Sequence, residues 1–99
     1  MVGKGSLYPP ERSTYRDRST GALVHQMTGH LSINHLSYFL QSSFTPDSRR
    51  LIFTSYRTGT AQLFEAGFPD GEIRQLTDTA PIHPYSPTLS HDGERVFFV

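Results

Sequence analysis

A ten-residue block recurs in this 99-residue chain at an offset of 45 positions, without a gap. Phe44-Thr45-Pro46-Asp47-Ser48-Arg49-Arg50-Leu51-Ile52-Phe53 lines up with Leu89-Ser90-His91-Asp92-Gly93-Glu94-Arg95-Val96-Phe97-Phe98. An apolar residue, a hydroxyl, Asp, a small residue, Arg and an apolar triplet all match. A second echo, with one residue inserted, surrounds it: Gly71-Glu72-Ile73-Arg74-Gln75-Leu76-Thr77 repeats Gly21-Ala22-Leu23-Val24-His25-Gln26-Met27-Thr28. A period of about 40–45 residues built from short strands is that of a β-propeller blade, with antiparallel strands A to D. Eight Gly and seven Pro for turns, with five Tyr and seven Phe for strands, fit an all-β chain.

The blade template places strand A at Tyr38–Phe44, turned by Thr45-Pro46-Asp47-Ser48, where Pro presets φ and Asp bonds the backbone ahead. Strand B is predicted at Leu51–Ser55, followed by a B–C loop at Tyr56–Gly59. Strand C is predicted at Ala61–Ala66, with Ala61, Leu63 and Glu65 on one face and Gln62, Phe64 and Ala66 on the other. Strand D spans Glu72–Leu76 as the outer edge, and the next A and B strands fall at Tyr85–Leu89 and Arg95–Val99. Ala22–Met27 reads as a lone D-type opening strand. The expected organisation is a flexible segment over 1–12 and an incomplete propeller over 13–99: an opening strand at 22–27, a complete blade at 38–76 and the start of another at 85–99. At this period the chain holds about 2.2 blades, below the four or so of a closed ring. It is therefore expected to be a piece of a longer propeller, with exposed edges at strand D and Val99 until the missing C-terminal blades cover them.

Composition narrows the function classes. Nine Lys+Arg balance nine Asp+Glu, so a basic nucleic-acid-binding surface is not expected. No apolar run approaches a membrane span, and Met1–Pro10 lacks the apolar core of a secretory signal, which points to the cytoplasm. The absence of Cys excludes disulfides and Cys-ligated metals. No Gly-rich phosphate loop or Gly-x-Ser-x-Gly elbow is present.

In a blade the D–A and B–C loops share one mouth of the ring. His30, Asn34 and His35 fall in the first D–A loop, Tyr56 and Arg57 in the B–C loop, and His83 in the next D–A loop with Tyr85 after it. Imidazoles ligate metals and accept protons near neutral pH, and an Arg fork suits a carboxylate, so this mouth reads as an anion or metal site. Loop His residues also cap strands or stack on Tyr, and no His pair here has the spacing of a metal motif. Asp47 and Asp92 repeat with the fold, as turn residues do.

Ser55-Tyr56-Arg57-Thr58-Gly59 and Gln75-Leu76-Thr77, with the Asp turns, resemble the TolB-type propeller repeat. That repeat signals a fold and no single function. Thr14-Tyr15-Arg16-Asp17-x-x-Thr20-Gly21-Ala22-x-Val24-x-x-Met27-Thr28, followed by His35-x-x-Tyr38-Phe39-x-Gln41-x-x-Phe44-Thr45-x-Asp47, is similar to the start of the oligogalacturonate lyases. That resemblance implies a seven-bladed propeller, here an N-terminal portion. It implies cleavage of pectin-derived oligogalacturonates by β-elimination, with manganese or a similar divalent cation held by several His and a Gln. A separate His would take the C5 proton and an Arg would assist. Those catalytic and metal residues are expected beyond Val99, leaving this chain with no metal of its own and His30, Asn34, His35, Arg57, His83 and Tyr85 as mouth-lining, substrate-binding candidates. The parent would be a carbon–oxygen lyase, and the 99 residues alone would be inactive. The readings from other classes are a TolB-like protein- or peptide-binding module and the propeller of a prolyl-oligopeptidase-type serine hydrolase.

Overall fold

The computed structural model describes residues 3–36 and 43–99, and it is all-β there, with no helix among the described residues. Its strands are β1 (Leu7–Tyr8), β2 (Ser13–Arg16), β3 (Leu23–Gln26), β4 (Asn34–His35), β5 (Arg50–Ser55), β6 (Gln62–Gly67), β7 (Ile73–Gln75), β8 (Thr88–Leu89) and β9 (Val96–Phe97). The main sheet has the order β1-β7-β6-β5-β4, and β2-β3 and β8-β9 form separate two-stranded sheets. All pairings are antiparallel.

The strands expected as B, C and D are β5, β6 and β7. Phe53 pairs with Phe64 and Ala66 with Ile73. The period of two sends these side chains to two buried faces. Phe53, Phe64, Ala66 and Ile73 pack with Met27 on one side, with Tyr8, Leu51 and Phe68 around them. Ile52, Ala61, Leu63 and Ile82 form the other cluster, against which Leu89 of β8 and Val96 of β9 pack. The central sheet is thus covered by residue 27, just after β3, on one face and by the β8-β9 sheet on the other. Each fully buried large apolar side chain contributes roughly 1.5–3 kcal/mol.

Two buried glutamines close the polar account. Gln62 Oε1 accepts from Thr77 Oγ1 (2.6 Å) and the Thr79 amide (3.2 Å), while its Nε2 donates to Thr79 O (2.7 Å) and Thr60 Oγ1 (3.1 Å). Gln75 Nε2 donates to Thr77 O (2.7 Å), and its Oε1 accepts from the Gly3 amide and the Tyr8 hydroxyl, both at 3.2 Å. A fully satisfied network of this kind fixes the exit of β7 without leaving a buried polar atom unpaired.

The repeat recurs atom by atom at the strand A–B turn. Thr45 Oγ1 donates to Asp47 Oδ1 (2.6 Å), and Asp47 Oδ1 accepts from the Arg49 amide (3.0 Å). Ser90 Oγ donates to Asp92 Oδ1 (2.6 Å), which accepts from the Glu94 amide (2.9 Å). The Thr45 and Ser90 hydroxyls, then these amides, hold both carboxyls below the usual aspartate range. Positive φ also repeats, at Ser48 (59°) and Gly93 (76°).

Four features differ from the sequence expectation. Residues 1–12, expected as a flexible segment, include β1, which pairs Leu7 with Arg74 and Tyr8 with Ile73. The edge of strand D expected to be exposed is therefore covered, and Gly5 N to Gln75 O (2.7 Å) and Gln75 N to Ser6 O (2.9 Å) extend that pairing. The opening strand is not alone, because β3 forms a hairpin with β2 through an Asp17 turn, whose Oδ2 accepts from the Ser19 and Thr20 amides. Asn34 and His35, expected in the loop before strand A, form β4 and pair with Ser55 and Thr54. Residues 38–42 of the expected strand A lie outside the described residues, while Phe44 bridges to Leu51.

A Cβ built on Gly93 would stand 2.5 Å from Pro46 Cδ, in a backbone conformation that L side chains rarely adopt. Gly93→Ala is expected to cost roughly 1–3 kcal/mol. Ser48→Gly, at the matching position, is expected to be neutral or mildly stabilising. Urea denaturation midpoints of the two variants check this.

Candidate functional site

The site lies at the end of the sheet where β5 stops. Antiparallel pairing sets Asn34 and His35 of β4 beside Ser55 and Thr54, the last residues of β5. Tyr56 and Arg57 follow directly. The loop before β8 is held to the same end by Ile82 N to Ala61 O (3.2 Å) and by Thr54 Oγ1 to Pro84 O (3.4 Å). His83 and Tyr85 arrive with it.

Here the side chains divide into an inner and an outer group. The outer group is aromatic. The His35 ring meets Tyr56 at 6.0 Å and Tyr85 at 5.3 Å between centroids, both at 67° between planes. The rings of His83 and Tyr85 are 6.4 Å apart, and His83 Nδ1 accepts from the Tyr85 amide at 3.3 Å.

The inner group centres on Arg57, whose side chain is 1% exposed. Its guanidinium makes a fork to Glu11, Nη1 to Oε2 at 2.9 Å and Nη2 to Oε1 at 3.2 Å. Nη2 also donates to Asn34 Oδ1 (3.3 Å), and Nε donates to Ser55 Oγ (3.0 Å). The rings of Phe64, Tyr8 and Phe53 surround it, with centroids 5.1, 5.6 and 5.8 Å from Cζ. A planar cation that stacks on rings while its edge is hydrogen-bonded suits this cage better than Lys would. Glu11 Oε1 accepts in addition from the Gly29 and His30 amides, at 3.0 and 3.2 Å. Burial pushes the Glu11 carboxyl up, but the Gly29 amide, Arg57 and the His30 amide together more than reverse this and leave it below its ordinary value.

The candidates read from sequence therefore separate. His35, His83 and Tyr85 come together, joined by Tyr56. Asn34 and Arg57 come together behind them, and the carboxylate that the Arg fork takes is the protein's own Glu11. His30 stands apart: its exposed ring has Nδ1 2.8 Å from Ser32 Oγ and 3.0 Å from the Ser32 amide. Outside these groups, His25 Nδ1 is buried and has no hydrogen-bond partner. His91 lies at the opposite end of the sheet, beside Thr45, Pro46 and Ser90. No group of three or more His, Cys, Asp or Glu among the described residues could hold a metal ion.

Sequence reasoning missed Glu11, a single carboxylate in a segment without periodicity. The one available signal is Pro9-Pro10 before it, which stiffens the chain into an extended approach.

An all-β protein of face-packed antiparallel sheets, with an imidazole–tyrosine cluster at one sheet end, is the class that fold and site define. No protein-family model matches the chain. It is 26% identical over 98 residues to the oligogalacturonide lyase of Pectobacterium atrosepticum and, over the same length, to the oligogalacturonate lyase of Dickeya dadantii. Each match takes in 99% of this chain and 25% of the relative, so the chain spans about a quarter of the length of these curated proteins. Among solved structures, an oligogalacturonate lyase in complex with manganese superposes with a TM-score of 0.89 at 31% identity, over 99% of this chain and 26% of that one. The oligogalacturonate lyase of Vibrio parahaemolyticus gives a TM-score of 0.86 at 26% identity, over 97% of this chain and 25% of that one. The resemblance carried by the sequence is thus shown along the whole chain, and its relatives are oligogalacturonate lyases.

Glu11→Ala strands a buried guanidinium and is expected to cost about 3 kcal/mol, whereas Glu11→Ala with Arg57→Met recovers most of that loss. A double-mutant cycle of denaturation free energies measures the difference. Because the folded Glu11 pKa is lowered, its contribution is complete above the unfolded glutamate value, about 4.3, and is lost as pH falls through the folded value. The stability gap between wild type and Glu11→Gln is therefore expected to be widest at neutral pH and to narrow as pH falls, as denaturation midpoints from pH 7 down to pH 3 would record.

Proposed function

We propose that this chain is the N-terminal part of an oligogalacturonate lyase-like enzyme that cleaves pectin-derived oligogalacturonates by metal-assisted β-elimination. In this reading the main sheet supplies one complete propeller blade, the β2-β3 and β8-β9 sheets are parts of its neighbours, and further blades close the ring. The observation that carries it is the match of nearly the whole chain to a lyase in complex with manganese at a TM-score of 0.89. Burial of the central sheet on both faces supports the blade assignment, since a blade packs between two others.

The described residues do not fit a manganese site by themselves. Arg57 is engaged with Glu11 and with Asn34, His30 is engaged with Ser32, and the rings of His35 and His83 lie against tyrosines. The cation ligands and the proton-abstracting group are assigned to parts of the enzyme beyond this chain. What these residues supply is shape and polarity at the mouth: Arg57 and Glu11 hold the B–C loop in place, and the loop presents Tyr56 beside His35. The TolB-like and peptidase readings have no comparable support.

The complete protein, given oligogalacturonate and manganese, is expected to generate the unsaturated uronate product, followed by its ultraviolet absorbance. The isolated 99 residues are expected to generate none. No turnover by the complete protein, or turnover by the isolated chain, would overturn the proposal.

A further inference from the structure

The carboxylate of Glu11 sits in a cradle whose donors all come from other segments. Arg57 Nη1 donates to Oε2 at 2.9 Å, while Arg57 Nη2 and the Gly29 and His30 amides converge on Oε1 at 3.2, 3.0 and 3.2 Å. A planar fork beside two adjacent amides matches the shape of a carboxylate as well as its charge.

Each donor is held by contacts that do not involve Glu11. Arg57 Nε donates to Ser55 Oγ at 3.0 Å and Nη2 to Asn34 Oδ1 at 3.3 Å, and the Phe64 and Phe53 rings lie 5.1 and 5.8 Å from Cζ. The stretch that carries the two amides is tied down on both sides of them. Gln26 Nε2 donates to Thr28 O at 3.0 Å, the Ser32 amide donates to His30 Nδ1 at 3.0 Å, and Ser32 Oγ lies 3.4 Å from Ser55 Oγ. Donors fixed before their ligand arrives bind it with little further ordering. An open concavity of about 560 Å³, lined by Glu11, Gly29, His30 and Leu31, gives solutes access to the same place.

Glu11 enters the cradle as the tip of a segment that is gripped along its length. Gly5 and Ser6 hydrogen-bond to Gln75, and the Tyr8 hydroxyl donates to Gln75 Oε1 at 3.2 Å while its ring lies 5.6 Å from Arg57 Cζ. Pro9-Pro10 then restrict the direction in which the chain runs on to Glu11. Beyond it, Arg12 leans on the turn before β7 so closely that a Cβ built on Gly71 would stand 2.8 Å from Arg12 Cβ.

We propose that the Arg57 guanidinium and the Gly29 and His30 amides form a carboxylate-binding site, and that Glu11 fills it as a tethered ligand, strapping residues 3–12 over the cation. The class of ligand is a small monocarboxylate, with formate as the minimal probe. The tether holds the Glu11 carboxylate at a local concentration of ~mM or above, so a free carboxylate enters once that side chain is withdrawn. The inference goes beyond the lyase reading and stands whether or not that reading holds.

The test uses the complete protein with Glu11→Ala, titrated with sodium formate against sodium chloride at matched ionic strength. At about 100 mM formate the unfolding midpoint is expected to rise saturably, by roughly 2–4 °C more than in chloride. The wild type, with its site filled, is expected to respond to the two salts alike, and so is Glu11→Ala with Arg57→Met, which lacks the fork. Hydrogen exchange supplies a local readout: the Gly29 and His30 amides are expected to lose protection in Glu11→Ala and to regain it with formate, while those of β5 and β6 stay protected. If Glu11→Ala does not fold in chloride, recovery of its structure on adding formate is the same readout. Equal responses of Glu11→Ala to formate and chloride, a formate response that survives Arg57→Met, or no recovery of an unfolded Glu11→Ala would each overturn the proposal.

Discussion

A buried guanidinium must be given a carboxylate, and the architecture near the site follows from meeting that demand. Arg57 is surrounded by aromatic rings and can discharge its hydrogen bonds only along one edge. Glu11 reaches that edge from a segment far away in sequence, and in doing so collects the Gly29 and His30 amides. One ion pair therefore ties the N-terminal stretch, the exit from the β2-β3 hairpin and the loop after β5. In other proteins apolar replacement of such a pair is often neutral. What the pair secures here is position: with Arg57 held, Tyr56 is presented beside His35.

The rest of the molecule is organised around a sheet with no free face. Buried clusters lie on both sides of β5 and β6, and the polar side chains at the sheet's ends are consumed in the Gln62 and Gln75 networks. A sheet built this way is indifferent to its own surface chemistry and leaves its ends free to vary, which is where loops carry function.

Much of this was legible in the residues because it is local or periodic. The expected strands at Leu51–Ser55, Ala61–Ala66 and Glu72–Leu76 agree with β5, β6 and β7 to within one residue at every boundary, and the alternation in Ala61–Ala66 gives the two faces that the clusters use. The Asp47 and Asp92 turns are visible as a repeat and form the same hydrogen bonds. What was not legible depends on long-range pairing. Leu7–Tyr8 is too short to show a period, and Glu11 is one carboxylate among nine acidic residues. The sequence reading groups His30, Asn34, His35, Arg57, His83 and Tyr85, but it cannot show that His30 stands apart or that Arg57 turns inward while His35 meets two tyrosines. That division is decided by packing around the guanidinium.

The pairing of β1 with β7 also has a temporal meaning. Tyr8 and Gln75 are 67 positions apart in the chain. At ordinary synthesis rates, roughly 3–13 s pass between making one and making the other. During that interval the earliest residues have no strand to join, and Glu11 waits for the cation it will neutralise. β1 thus has to wait for β7 before it can dock, and in docking it closes the outer edge of the main sheet to other chains.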